Sequence, residues 1–308
     1  MGVWSKMGIR KRGIWQSMDE EKRTSRLKPL NDFIFQKLMG ERGSEDELKS
    51  FLGAVLGKKL KKITILENKT LTPEIIGDKK SILDVRATTD DDTHINVEVQ
   101  INPYSAMDVR SLFYWSKLYG SALGEGEDYK QLPKTIMINI LDFDYDYIKI
   151  KKRYHTKFHM WEDDERYKLT DAIEIHFIEM RKFRDLELKD IKNNILHRWL
   201  TFFDEQTDEK IIKELMNMDR AIRKANDKLK YLSQDKEFLR QANLRAIALS
   251  DYTTSMNNAK AAGKAEERAE AKAEKLESVK RLIEMGLTDS QISKAMKIPE
   301  KDVADLRN

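Results

Sequence analysis

The chain has 308 residues, 57 Lys and Arg against 53 Asp and Glu, no Cys, and 36% charged residues. That length accommodates one large domain with extensions. The lack of Cys excludes disulfides and thiolate metal sites and agrees with an expected cytoplasmic location, and no apolar run approaches the roughly 18 residues of a membrane span or resembles a secretory signal.

The net charge of +4 is unevenly placed. Eight Lys and Arg against three acids give residues 1–30 a charge of +5 and leave −1 for the rest. Residues 1–26 therefore read as a basic leader, expected to be disordered, and the body carries no basic excess for nucleic acid.

Helix is predicted over Asp32–Met39, with Phe33, Ile34, Lys37 and Leu38 on one face, and over Glu45–Leu56, where Leu48, Phe51, Leu52 and Val55 form the apolar stripe. A strand is predicted over 63–67. Residues 82–88 and 95–101 both alternate and are rich in β-branched side chains, so they read as two arms of a hairpin turning about Asp91. In that register Leu83 faces Val99, Val85 faces Val97 and Ala87 faces Ile95, all apolar. On the other face Ile82 meets Gln100, Asp84 meets Glu98, and Arg86 meets Asn96. A one-residue slip would place polar side chains against the core, which favours this register.

Opposed residues have Cβ atoms about 5 Å apart, so Asp84 and Glu98 repel unless a cation or proton lies between them. Gln100 shares the face of Glu98. Two carboxylates and an amide oxygen suit a hard divalent cation. The same pattern also suits the solvated polar face of an antiparallel sheet.

A long helix is predicted over 104–123, carrying Val109, Leu112, Phe113 and Ser116 on one side, then a buried strand over Thr135–Leu141. Two further strands, 154–161 and 173–178, are candidates for pairing. From Leu186 the pattern is helical, with Ile191, Ile195, Leu196, Trp199, Leu200 and Phe203 packing inward. Residues 206–256 read as a helical extension, 257–278 as a charged helical linker, and 279–308 as a small helix-turn-helix-like tail with a capping box at Thr288 and Gln291. Its last segment holds Glu300, Asp302 and Asp305, a poor match to a phosphate-lined groove, so packing or homo-oligomer formation is expected of it. The five His residues show no metal-ligand spacing, Trp115, Trp161 and Trp199 read as core, and no Gly-rich phosphate loop occurs.

Asp84, thirteen residues, Glu98, one residue, Gln100: this spacing on adjacent strands resembles the hairpin of PD-(D/E)XK nucleases, with Gln where Lys is usual. The run Leu27-Lys28-Pro29-Leu30-Asn31-Asp32-Phe33-Ile34-Phe35, together with Phe51-Leu52-Gly53, Lys80-Ser81-Ile82-Leu83-Asp84, Glu98-Val99-Gln100, the 110–119 segment and Gly126-Glu127-Asp128-Tyr129, resembles the Rpn family of recombination-promoting nucleases and putative transposases. The resemblance covers about residues 27–200 and continues loosely into the tail, which sets the nuclease-like domain at 27–205. It implies an α/β restriction-endonuclease-like fold, a mixed sheet flanked by helices with a helical C-terminal extension, and Mg²⁺-dependent (or Mn²⁺-dependent) DNA endonuclease activity linked to recombination.

On that footing Asp84, Glu98 and Gln100 are the catalytic set. Asp84 and Glu98 would ligate the metal, with Glu47 from the second helix as an additional acid. Lys80 and Arg110 are candidates for DNA contact; Arg110 suits equally a brace for Glu98 or an ordinary salt bridge. Gln100 can hold a water by hydrogen bonds but lacks the charge of Lys. A protein that keeps the fold as a DNA-binding or protein-interaction module, without efficient cleavage, is the second reading.

Overall fold

The computed structural model describes residues 26–66, 85–101, 103, 106–145 and 152–307. Residues 1–25 of the leader, Lys80 and Asp84 lie outside the described residues. The chain divides into two units, Met1–Ala242 and Asn243–Asn308.

In the first unit α1 (Asp32–Met39) and α2 (Glu45–Leu56) have the predicted bounds. Asn31 caps α1: its side chain accepts from the N–H groups of Phe33 and Ile34. β1 (Ile63–Leu66), β2 (Val85–Thr89) and β3 (His94–Gln100) form an antiparallel meander, with Val85 opposite Val97, Arg86 opposite Asn96 and Ala87 opposite Ile95. The described register is the one the alternation demands. Helix α3 (Met107–Gly120) then crosses to β4 (Thr135–Leu141), which lies parallel to β3 and, on its other side, parallel to β6 (Ile173–Glu179); β5 (His155–Phe158) pairs antiparallel with β6 at the sheet edge. The strand order is β1-β2-β3-β4-β6-β5. All seven residues of β4 are buried, as expected of a central parallel strand covered on both faces.

One face carries Val85, Ala87, Ile95, Val97, Val99 and the isoleucines of β4. It packs on α1, α2 and a helical layer of α4 (Met180–Arg184), α5 (Ile195–Phe203), α6 (Glu209–Met218) and α7 (Arg220–Gln234). Trp199 sits at its centre, fully buried between Phe51, Phe202 and Phe203. The opposite face packs Met137, Leu141, Ile173, Ile175 and Phe177 on Met107 and Tyr114 of α3.

Three sequence expectations are corrected here. Helix α3 buries Met107, Ser111, Tyr114 and Leu118, whereas Val109, Leu112 and Phe113 face solvent: the polar contacts of Arg110 and Ser111 with the sheet fix the rotation against the larger apolar stripe. Ile195, in the first turn of α5, is 45% exposed. Trp161 is half exposed, in an isolated bridge to Lys168 rather than in the core.

Helix α8 (Lys236–Glu284) runs from the first unit into the second. The second unit's own core joins Val279 of α8 to Ile292 of α9 (Asp289–Met296) and Val303 of α10 (Glu300–Arg307). The Thr288–Gln291 capping box is formed, with each side chain bonded to the other residue's backbone. Among the described residues no helix is long and apolar enough to cross a membrane.

Candidate functional site

Strand alternation sends Asn96, Glu98 and Gln100 to the α3 face of the sheet, because Ile95, Val97 and Val99 occupy the other. Glu98 is 2% exposed. Its two carboxylate oxygens have different fates. Oε1 accepts from Arg110 Nε at 3.0 Å, Arg110 Nη2 at 2.5 Å and Gln100 Nε2 at 2.8 Å. Oε2 is buried with no hydrogen-bond partner.

Arg110 lies one turn into α3, and its guanidinium stacks over the Tyr114 ring at 4.9 Å. Of the open sequence alternatives for Arg110, the brace on Glu98 is the one the structure forms. Behind this pair Asn139 of β4 stands opposite Glu98. Its Oδ1 accepts from Ser111 Oγ at 3.0 Å and its Nδ2 donates to the His176 carbonyl at 3.0 Å, which ties α3 to the sheet. Nearby, Asp108 at the start of α3 accepts from the Tyr145 hydroxyl at 2.6 Å, and this bond with burial pushes the Tyr145 pKa up to about 12.

Glu47 does not join this cluster. Its helix packs on the opposite face of the sheet, with Leu48 and Phe51 in the Trp199 core. Burial raises the Glu47 pKa, and the cations nearest it, Lys224 and Lys228, belong to α7. A helical stripe shows which residues face inward but not which sheet face the helix covers, so this separation is invisible in the sequence. Sequence reasoning also left two neighbours of Glu98 unassigned. Arg86 and Asn96 appear there only as an opposed pair on a polar face; what marks them is burial without partners.

A second polar group lies on the α2 face. His155 Nε2 meets His176 Nδ1 at 2.8 Å, His176 Nε2 meets Glu174 at 2.8 Å, and Lys134 closes on the other Glu174 oxygen. Among the described residues no three His, Asp or Glu side chains converge as a metal site. Since Asp84 lies outside them, the fit of a cation rests on Glu98: a buried anionic oxygen without a partner is the hard donor a divalent ion takes.

A mixed sheet of this order, with the hairpin acid on β3 and a crossover helix bracing it, defines a nuclease-fold α/β protein. The model of the PD-(D/E)XK nuclease family transposases matches residues 29–259, most of the chain, and the protein belongs to that family. Comparisons with curated proteins and with solved structures gave no match.

Proposed function

We propose that this protein is a metal-dependent DNA endonuclease, serving recombination or mobile elements, whose site comprises Asp84, Glu98 and Gln100. The observation that carries the reading is the split state of Glu98. One oxygen is fixed by three N–H donors, and the other is buried and idle. The ion pair with Arg110 makes no use of that second oxygen, whose burial without a partner costs about 1–3 kcal/mol.

The described register places Val85 opposite Val97, and the expectation for Asp84 follows from its neighbouring position in the chain. In this proposal Asp84 and the Glu98 Oε2 hold Mg²⁺ or Mn²⁺, which supplies Lewis-acid polarisation of the phosphoryl group and a more acidic water. Arg110 fixes the plane of the Glu98 carboxylate through Oε1, and Oε2 is the oxygen that would hold the ion. Gln100 gives its N–H to Glu98, which leaves its amide oxygen to accept a hydrogen bond from a water. Lys80 remains a candidate for DNA contact at the entry to the hairpin.

The test is cleavage of supercoiled plasmid with Mg²⁺ or Mn²⁺ by the full chain, by Asp84→Asn and by Glu98→Gln. Loss of roughly 100-fold or more in each variant is expected, because even outer-shell residues of metal sites cost about 10–100-fold. One observation favours the non-catalytic reading: the side chain at the usual Lys position is neutral and its donor is occupied by Glu98. Equal residual activity in all three proteins would decide for it.

A further inference from the structure

Arg86 stands on β2 directly opposite Asn96, the residue that precedes Glu98 on the same face of β3. It makes no hydrogen bond and no ion pair with any described residue, and its Nε is buried without a partner. Asn96 is 0% exposed, and neither its Oδ1 nor its Nδ2 has a partner.

Arg86 is partly buried, and a guanidinium stays charged in proteins, so an Nε held away from both water and any described acceptor is unfavourable. A fully buried amide with both ends idle adds to that cost. Two such residues facing each other across one strand pair, beside a carboxylate with its own idle oxygen, describe a site missing an anionic ligand. Glu98 itself is not that anion. Its Oε1 already takes Arg110 and Gln100, its Oε2 has no hydrogen-bond partner, and Arg86, diagonal to it on β2, forms no ion pair with it. The row is open on the far side: Thr64 of β1, opposite Thr88, is exposed, and Leu66, opposite Arg86, is partly so.

We propose that Arg86, with Asn96, is the phosphate-binding arm of the Glu98 site. It takes a non-bridging oxygen of the DNA strand and supplies the fixed positive charge that Gln100 lacks. The planar guanidinium suits a phosphate through two parallel N–H donors, and the Asn96 amide adds a third. Arg110 does not fill this role, because its donors are directed at Glu98. The inference rests on DNA being the substrate, as proposed above, but not on cleavage taking place.

The experiment is fluorescence anisotropy of a labelled short DNA duplex in EDTA, titrated with KCl, using the full chain, Arg86→Gln, Arg86→Lys and Asn96→Asp, with thermal melts alongside. Arg86→Gln should weaken binding about 10-fold near 0.1 M salt and lower the salt slope by about one, with Arg86→Lys between it and the parent. Its melting temperature should not fall, because an uncompensated charge has been removed. Asn96→Asp gives Arg86 an internal counter-ion, so it should bind as poorly as Arg86→Gln and melt no lower than the parent. Unchanged affinity and slope in Arg86→Gln, failure of the parent chain to bind the duplex, or a lowered melting temperature in both variants would overturn the proposal. The plasmid assay separates the two readings. A parent chain that binds through Arg86 without cutting removes the nuclease reading alone. One that cuts, with Arg86→Gln cutting and binding equally well, removes this proposal alone.

Discussion

Replacing Arg110 by Met tests whether the brace on Glu98 does what the geometry implies. The substitution keeps the aliphatic stem over Tyr114 and deletes two of the three donors to Oε1. Severing a fully buried pair costs about 3–5 kcal/mol, whereas exposed pairs are worth about 0–1 kcal/mol. Here the Glu98 side chain is 3% exposed and that of Arg110 is 27%, and Gln100 still donates, so the expected loss is about 2–3 kcal/mol. Most of that is the cost of a stranded carboxylate. Adding Glu98→Gln removes the stranded charge, and the double variant should therefore be more stable than the sum of the single effects by about 1–2 kcal/mol. Urea denaturation followed by tryptophan fluorescence, with an unchanged m-value, is the assay. A loss under about 1 kcal/mol for Arg110→Met, or strict additivity in the cycle, would refute the claim that Arg110 and Glu98 act as one unit.

The other expectations follow from separate parts of the molecule. Trp199→Ala, which empties the space between Phe51 and Phe203 and frees the Ser50 hydroxyl from the indole N–H, should cost about 3–5 kcal/mol in the same urea assay. Thr288→Ala should destabilise the small second unit by about 1 kcal/mol, seen as faster amide exchange in α9 with the first unit unaffected. Burial, with His176 and Lys157 nearby, pulls the His155 pKa from 6.5 to about 4. The unfolded chain then binds the proton first, so this contribution is intact above about pH 6.5 and declines as pH falls towards 4; His155→Asn should flatten the midpoint-against-pH curve over that interval. Gln100→Lys places another cation on the Glu98 oxygen that Arg110 already holds, so we expect it to raise the Mg²⁺ concentration needed for half-maximal plasmid cleavage rather than to improve the rate.

The hairpin register was readable because alternation fixes it twice over: an apolar column of Val85, Ala87, Ile95, Val97 and Val99, and a polar column that would otherwise enter the core. The bounds of α1 and α2 were readable for the same kind of reason, a narrow apolar stripe ended by Gly40 and Gly57, the latter in the left-handed region at φ 65°. Helix α3 was readable as a helix but not in its rotation. Its largest apolar residues, Val109, Leu112 and Phe113, lie outward, while a serine and an arginine meet the sheet through Asn139 and Glu98. Periodicity counts hydrophobic side chains; it has no access to the polar partners waiting on another strand. His176 shows the same blindness. It is fully buried because Glu174 and His155 occupy both ring nitrogens, and those residues come from two strands brought together only by the fold.

The charges around Glu98 also explain why a neutral residue at position 100 is tolerated by the fold. A Lys there would face an oxygen already bearing the guanidinium of Arg110. With Gln100, the carboxylate keeps one compensating cation and one idle oxygen, a local balance that still favours a divalent ion. In the proposal above, the positive charge for a phosphate comes from the neighbouring strand, where Arg86 pairs with no anion among the described residues. The division assigns Arg110 to the protein's own acid and Arg86 to the proposed ligand, so loss of either should leave different traces: stability for the first, salt-dependent binding for the second.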